Sequence, residues 1–416
     1  MLLHLLALYA TFQGCYSDVN PLTAAKTPTH CNPSSTILFR VTGNIYPDGY
    51  HYLKVDLGDP PIPYLFDFDT GSHFTWIQCD APCQKCLPAP NPPYIPVSRK
   101  LVGCRHPICD EIRYPKDHVC ESPNEPCTYY IRYADGGSSL GVVINDPFPL
   151  TYTNGTLIKP EISFGCGYHQ KHPDPANRPH VDGILGLGSG KESILSQLRE
   201  LGLVKSVVGH CFSKQGDGYL FLGDEFVPSR AVWTPIITTN EFARRYFLGV
   251  AELYVGLYTT GIRNLRVVFD NAATHTYFAS EAYATLVSTI TKDIKEKKLE
   301  EVNDDDLPLC WKGPQPFESI EDVIHKFRPI SLSFLENPQY TLFEMYPEAY
   351  LIVKHGIVCL GILDSVLLQA PTVTLIGAIS FQDKLIIYDN ENQKIGWTTA
   401  NCNDPPQSQC HSILKN

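Results

Sequence analysis

Two acidic turns, Asp69-Thr70-Gly71-Ser72 and Asp270-Asn271-Ala272-Ala273, hold the residues best suited to chemistry in this chain. Each ends an apolar strand. Tyr64-Leu65-Phe66-Asp67-Phe68 runs into the first, and Leu265-Arg266-Val267-Val268-Phe269 into the second. A carboxylate at the end of a buried strand is costly unless something pairs or uses it. The first turn supplies what a working carboxylate needs. Thr70 offers a hydroxyl to lock the loop, Gly71 lets the backbone approach and donate its N–H, and Ser72 can hydrogen-bond the outer oxygen of Asp69. One such tetrapeptide also occurs in ordinary turns; a second acid in the matching place of the other half makes the pattern specific. Two carboxyls brought together share a proton. The ionised member can then take a proton from water as that water attacks a carbonyl, while the protonated member donates to the carbonyl oxygen. Such chemistry requires no metal, thiol or cofactor.

The elements that must position these turns form a weak duplication. Aromatics follow each turn, Phe74 and Trp76 in one half and Tyr277 and Phe278 in the other. About a hundred residues after each acid comes an apolar-apolar-Gly strand, Ile184-Leu185-Gly186 and then Leu375-Ile376-Gly377. Two similar halves imply two lobes with one acid each, joined near Phe226-Val227-Pro228-Ser229-Arg230. Tyr50 to Leu57 alternates as a strand, and Lys384 to Tyr388 does so more loosely. Tyr130 to Val143 has strand-like ends around a Gly-rich tip. One helix is expected from about Lys191 to Leu201, with Ile194, Leu195, Leu198 and Leu201 inward and Gly202 as its stop. Another starts at Ser280 as N-cap, with Leu286, Val287, Ile290 and Ile294 inward. The charged stretch Lys295 to Asp306 reads as a helix end and loop.

The chain has 416 residues, 34 prolines and 19% charged residues, which favours short strands and turns over long helices. A formal charge of −11 argues against a nucleic-acid partner. No clean apolar stretch after the N-terminus is long enough to span a membrane. Residues 1–17 read as a secretory signal, which places the protein in the secretory pathway, extracellular or vacuolar. Fifteen cysteines point to disulfides. Zinc is the lesser alternative, since Cys83-x-x-Cys86 has no matching second pair at zinc-ribbon spacing. Asn154-Gly155-Thr156 is the one open glycosylation sequon. Gly186 to Glu192 lacks the residues of a phosphate loop, and His169-x-x-His172 lacks the Glu and spacing of a zincin.

In its ordered motifs the chain resembles the pepsin-like aspartic peptidases, and most closely their plant nucellin-like group. The motifs are Phe68-Asp69-Thr70-Gly71-Ser72 with Thr75-Trp76-Ile77-Gln78-Cys79-Asp80, Tyr133-Ala134-Asp135-Gly136-Gly137-Ser138-Ser139, Phe164-Gly165-Cys166-Gly167-Tyr168, Asp182-Gly183-Ile184-Leu185-Gly186-Leu187-Gly188, Val358-Cys359-Leu360-Gly361-Ile362, and Ile387-Tyr388-Asp389-Asn390 with Ile395-Gly396-Trp397. They cover about residues 40–402. The resemblance implies an all-β, bilobal fold with a central cleft: an N-terminal lobe over 36–228, a C-terminal lobe over 229–403 and a tail over 404–416. It implies a monomeric aspartic endopeptidase acting on peptide or protein substrates at acid pH, without a cofactor or metal. Asp69 and Asp270 fall on the catalytic pair, Tyr133 on the tyrosine of a hairpin flap, and Trp76 on the residue whose indole N–H holds that tyrosine. Implied disulfides are Cys310–Cys359 and Cys211–Cys402, then Cys79–Cys166, Cys83–Cys86, Cys104–Cys127 and Cys109–Cys120, with Cys31 and Cys410 left over.

The second turn departs from the family's Asp-Ser/Thr-Gly-Ser/Thr. Asn271 replaces the small hydroxyl that bonds across the lobes, Ala272 adds a methyl where glycine permits close approach, and Ala273 removes the hydroxyl beside Asp270. A lost hydrogen bond to a charged group costs about 1.5–3 kcal/mol, which at the transition state is about tenfold to more than a hundredfold in rate. Thr274 is the nearest remaining hydroxyl. Reduced activity is therefore expected, and a non-catalytic protein using the fold for binding or inhibition is the alternative. Between the signal and the first strand only Lys26 is basic, so no long basic prosegment is expected to cover an acidic cleft.

Overall fold

The computed structural model describes residues 35–80, 86–172, 179–242, 245–336 and 339–406. The expected signal, Cys31, Cys83, Cys410 and the end of the tail lie outside them. Ser34–Asn416 forms one compact unit, and the expected all-β, two-lobed architecture holds within it. A 14-stranded sheet carries the first lobe. Its strands include Tyr50–Leu57, Ile62–Asp69, Trp76–Gln78, Glu161–Lys171 and Gly183–Gly186. It continues through Val207–Phe212, paired antiparallel with Lys384–Asp389, so the chain's last strands complete the sheet that its first strands begin. An eight-stranded sheet, with Tyr246–Val255, Leu265–Phe269, Thr276–Phe278 and Val373–Ile376, forms the second lobe.

Alternation explains the strands that frame the site. In Tyr50–Leu57 the residues His51, Leu53, Val55 and Leu57 are buried, while Lys54 and Asp56 face out. Ile62–Asp69 buries Tyr64, Phe66 and Phe68 against the core. No helix among the described residues is long and apolar enough to cross a membrane.

Several local expectations are corrected. The helix expected from Lys191 runs over Ile194–Glu200, because the Ser193 side chain accepts from Ser196 N and caps it there. Leu201 is its exposed C-cap rather than an inward residue. Gly202 takes φ +69° as the stop. In the helix Ser280–Ile294 the N-cap is Ala279, and Ser280 is the first helical residue, its hydroxyl donating to Asp364 Oδ1 at 2.6 Å. Leu286, Ile290 and Ile294 are buried as expected, and Val287 only partly. The charged stretch is not simply a loop, since Glu300–Val302 pairs as a strand with Cys310–Lys312.

Disulfides join Cys79–Cys166, Cys211–Cys402 and Cys310–Cys359 as expected. The other two pairs are exchanged: Cys104 joins Cys120 and Cys109 joins Cys127. The short helix Pro107–Ile112 is the cause. Arg113 bridges Tyr129 just after it, which turns Cys109 inward among Cys127, Tyr129 and Val143. Cys109 then stands 5.7 Å (Cα–Cα) from Cys127, and Cys104 is left to Cys120. Asn154 is exposed at a tight turn, its side-chain Oδ1 accepting from Thr156 N.

Candidate active site

The duplication read from sequence becomes two matching strand pairs. Gly183–Gly186 runs parallel to Ile62–Asp69 with Gly186 opposite Asp69, and Leu187 N donates to Asp69 O at 2.8 Å. Val373–Ile376 runs parallel to Leu265–Phe269 with Ile376 opposite Phe269, and Asp270 N donates to Ile376 O at 3.1 Å. Each acid therefore ends a strand that the later strand of its own half holds in place.

The two turns also brace one another. Thr70 N donates to Asn271 Oδ1 at 2.7 Å, Asn271 N donates to Thr70 Oγ1 at 3.1 Å, and Asn271 Nδ2 donates to Phe68 O at 2.8 Å. The Asn271 substitution is thus not the defect expected of it. Its carboxamide accepts the bond across the lobes and donates one more. Thr274 offers Asp270 no replacement hydroxyl, because its Oγ1 donates to Gly49 O instead. Ala273 does leave Asp270 without a neighbouring hydroxyl, and its carbonyl accepts from Ala378 N at 2.7 Å. Gly71 is required by close approach. A Cβ built there would stand 2.6 Å from Asp270 Cγ, so the Asp270 carboxyl lies directly against the backbone of the first turn.

The two carboxyls are held unequally. Asp69 Oδ1 accepts from Gly71 N at 2.7 Å and Ser72 N at 3.1 Å. Asp270 Oδ1 accepts from Ala272 N at 3.2 Å. Burial raises the Asp69 pKa, opposed by the Ser72 side chain, the two amides and the Arg245 charge. The Ser72 hydroxyl itself makes no well-formed hydrogen bond, so the amides are its firmer partners. Burial and then the Asp69 charge push Asp270 up to about 7, against Arg245 and the Ala272 and Ala273 amides. Two carboxyls set close together in a buried site share a proton. The better amide set keeps the charge on Asp69.

Above the pair, Thr128–Arg132 and Ser138–Pro147 form an antiparallel hairpin. Tyr133 N donates to Gly137 O across its tip, where Gly136 takes φ +88°. Trp76 Nε1 donates to Tyr133 Oη at 2.7 Å, as expected. His172 Nε2 lies 3.4 Å from Asp135 Oδ2 on the hairpin tip. Asp69, Asp270, Trp76 and Tyr133 all line one cleft of about 1210 Å³, large enough for a stretch of extended peptide.

Two ionisable groups in this cleft escaped the reading of the sequence. Asp67 shares the cleft side of its strand with Asp69, and burial followed by the charges of Asp69, Asp270 and Asp135 keeps its carboxyl neutral far above the usual range. Period-two spacing was the available signal. Arg245 enters from the strand beside Asp270, and only strand register could have found it.

Comparison with known proteins agrees with this geometry. The family described as Xylanase inhibitor N-terminal matches residues 51–224, and Xylanase inhibitor C-terminal matches residues 245–399. An aspartic proteinase of Oryza sativa subsp. japonica is 39% identical over 390 residues, covering 91% of this chain and 94% of that protein. "Aspartic proteinase 39" of Arabidopsis thaliana is 28% identical over 94% of this chain and 83% of its own length. Among solved structures, Basic 7S globulin from soybean superposes with a TM-score of 0.69 at 15% identity, over 91% of this chain and 99% of that one. Conglutin gamma from lupine seeds gives 0.68 at 16% identity, over 89% and 96%; these likenesses concern the fold alone. With both halves matched by the family's two parts and nearly the whole chain aligned to plant aspartic proteinases, the chain belongs to the pepsin-like aspartic proteinase family.

Proposed function

We propose that the chain is an aspartic endopeptidase, of the nucellin-like type, in which Asp69 and Asp270 activate water. The observation that carries this reading is the mutual bracing of the two turns, which sets the Asp270 carboxyl against the backbone of the first. Ionised Asp69 takes a proton from the attacking water, and protonated Asp270 donates to the carbonyl oxygen of the scissile peptide bond. Collapse of the tetrahedral intermediate returns a proton to the leaving amine. Thr70 and Asn271 hold the turns, while Gly71 and Ser72 supply the amides that keep Asp69 charged. Tyr133, held by Trp76, covers the substrate. Ala273 leaves this enzyme slower than one with a hydroxyl there.

A single-chain enzyme acting on peptide or protein substrates, carried through the secretory pathway and glycosylated at Asn154, accords with five disulfides among the described residues and an exposed sequon. The second reading, a non-catalytic binding protein, draws on Ala273 and on the likeness in fold to seed globulins. Digestion of an unfolded protein substrate across acid to neutral pH, with and without pepstatin, separates the two. Pepstatin-sensitive cleavage that is absent from Asp69→Ala supports the enzyme. A folded parent that cuts nothing at any pH supports the binding protein.

A further inference from the structure

Arg245 stands where the cleft meets the second acid. The strands Tyr246–Val255 and Leu265–Phe269 pair antiparallel, beginning with Tyr246 opposite Phe269. Arg245 immediately precedes that pair and lines the same cleft as Asp270. Its backbone is fixed. Arg245 N donates to Phe242 O at 3.0 Å, and Arg245 O accepts from Phe247 N at 2.9 Å. The buried Tyr246 next to it donates through its hydroxyl to Leu187 O at 3.1 Å and accepts from Asn390 Nδ2 at 3.1 Å.

The side chain of Arg245, by contrast, is exposed in the wall of the cleft. Five of the other described arginines are committed to carboxylates: Arg113 to Asp110, Arg199 to Glu391, Arg263 to Glu252, Arg266 to Glu241 and Arg328 to Asp293. Among the described residues Arg245 has no such ion pair, and its charge favours the ionised forms of Asp69 and Asp270. That pair carries one negative charge when it shares a proton, and a guanidinium presents five donors in a planar fork suited to a carboxylate. Of the other cations lining the cleft, Arg113 is paired with Asp110 and Lys354 with Asp304 and Asp306, whereas Arg245 keeps its fork open to a substrate carboxylate.

We propose that Arg245 receives a substrate carboxylate next to the scissile bond, making the cleft selective for peptides that carry Glu or Asp on that side or end there in a free carboxylate. The proposal rests on the peptidase reading for its register, with the scissile carbonyl at the acid pair. The two sources of carboxylate share one chemistry and are separable by experiment.

Binding of labelled peptides with a reduced, uncleavable bond at the scissile position tests it without turnover. Glu is scanned against Gln over the positions on either side of the reduced bond, near pH 6, and a truncated peptide with a free C-terminal carboxylate is compared with its amide. The parent binds the carboxylate form about five- to thirtyfold more tightly at one position, the range expected for a charge-assisted pair in a partly exposed cleft. R245Q loses that preference, and R245K, which keeps the charge without the fork, retains part of it. The matching cleavable peptides show the effect in KM with kcat little changed. A parent indifferent to Glu at every position overturns the proposal, and so does a preference that survives R245Q. Equal loss on neutral and acidic peptides, with a shifted pH profile, also overturns it, because Arg245 then acts only on the acid pair. If the preference holds in binding but no peptide is cut, the peptidase reading fails while the carboxylate site stands.

Discussion

Acid should loosen this protein through two histidines that no catalytic step uses. His51 and His210 stack on Phe212 with ring centroids 4.2 and 4.7 Å away. Both are buried, His51 Nε2 and His210 Nδ1 have no hydrogen-bond partner, and His210 Nε2 meets Tyr388 Oη at 3.2 Å. Phe381 and Tyr388 close the far side of His210, and the neighbouring His51 adds to what burial costs its charged form. Burial lowers His51 to about 4, and burial with His51 lowers His210 to about 3. The unfolded chain, with ordinary histidines, binds protons first as pH falls. Stability is therefore full above the unfolded value of about 6.5 and is lost as pH drops from there toward the folded values. From those shifts each histidine costs about 2 kcal/mol between about pH 7 and pH 5. The raised carboxyls Asp67, Asp69 and Asp270 act with the opposite sign, contributing stability at low pH that is lost as pH rises through their folded values. Total stability mixes the two, so the informative quantity is the difference between the parent and His51→Leu. Urea unfolding with disulfides intact should show the variant near the parent at about pH 7 and about 2 kcal/mol more stable relative to it at about pH 5. An identical fall in both proteins would mean that His51 is protonated without penalty, and the burial argument would be wrong.

Three further outcomes follow from the cross-braced turns and the hairpin. Asn271→Ala strips Thr70 N and Phe68 O of their partners, so unfolding should come about 2–4 kcal/mol earlier and kcat should fall at least about tenfold, whereas Asn271→Ser loses less of each. Ala273→Ser returns a hydroxyl beside Asp270 and should raise kcat by up to about tenfold with KM nearly constant; an unchanged kcat would mean that the amides already suffice. Trp76→Phe frees the Tyr133 hydroxyl and should lower kcat/KM about tenfold on peptide substrates, while circular dichroism shows the fold intact.

How much of this was legible in the sequence depends on how local the signal is. The strand-turn duplication placed Asp69 and Asp270, because an apolar strand ending in an acid is costly enough to mark itself. Trp76 and Tyr133 met as the resemblance implied. Asn271 was misjudged because a pattern of residue types treats a carboxamide as a lost hydroxyl, whereas its longer side chain reaches both Thr70 N and Phe68 O. The exchanged cysteines depended on a two-turn helix turning Cys109 inward, which spacing alone does not reveal. Asp67 was readable by strand parity. Arg245 and the His51–His210 pair were not, since they meet their partners only through strand register and packing over long separations.

The central claim is that Asp69 and Asp270 work as one pair with one shared proton. The pH dependence of kcat/KM for a single defined peptide tests it most directly, measured on the parent, Asp69→Asn and Asp270→Asn. The account predicts a bell whose upper limb falls near pH 7, where the shared proton leaves the pair, and loss of at least about a thousandfold in both variants. A parent profile still rising well above pH 7, or either variant retaining the parent's rate, would contradict it.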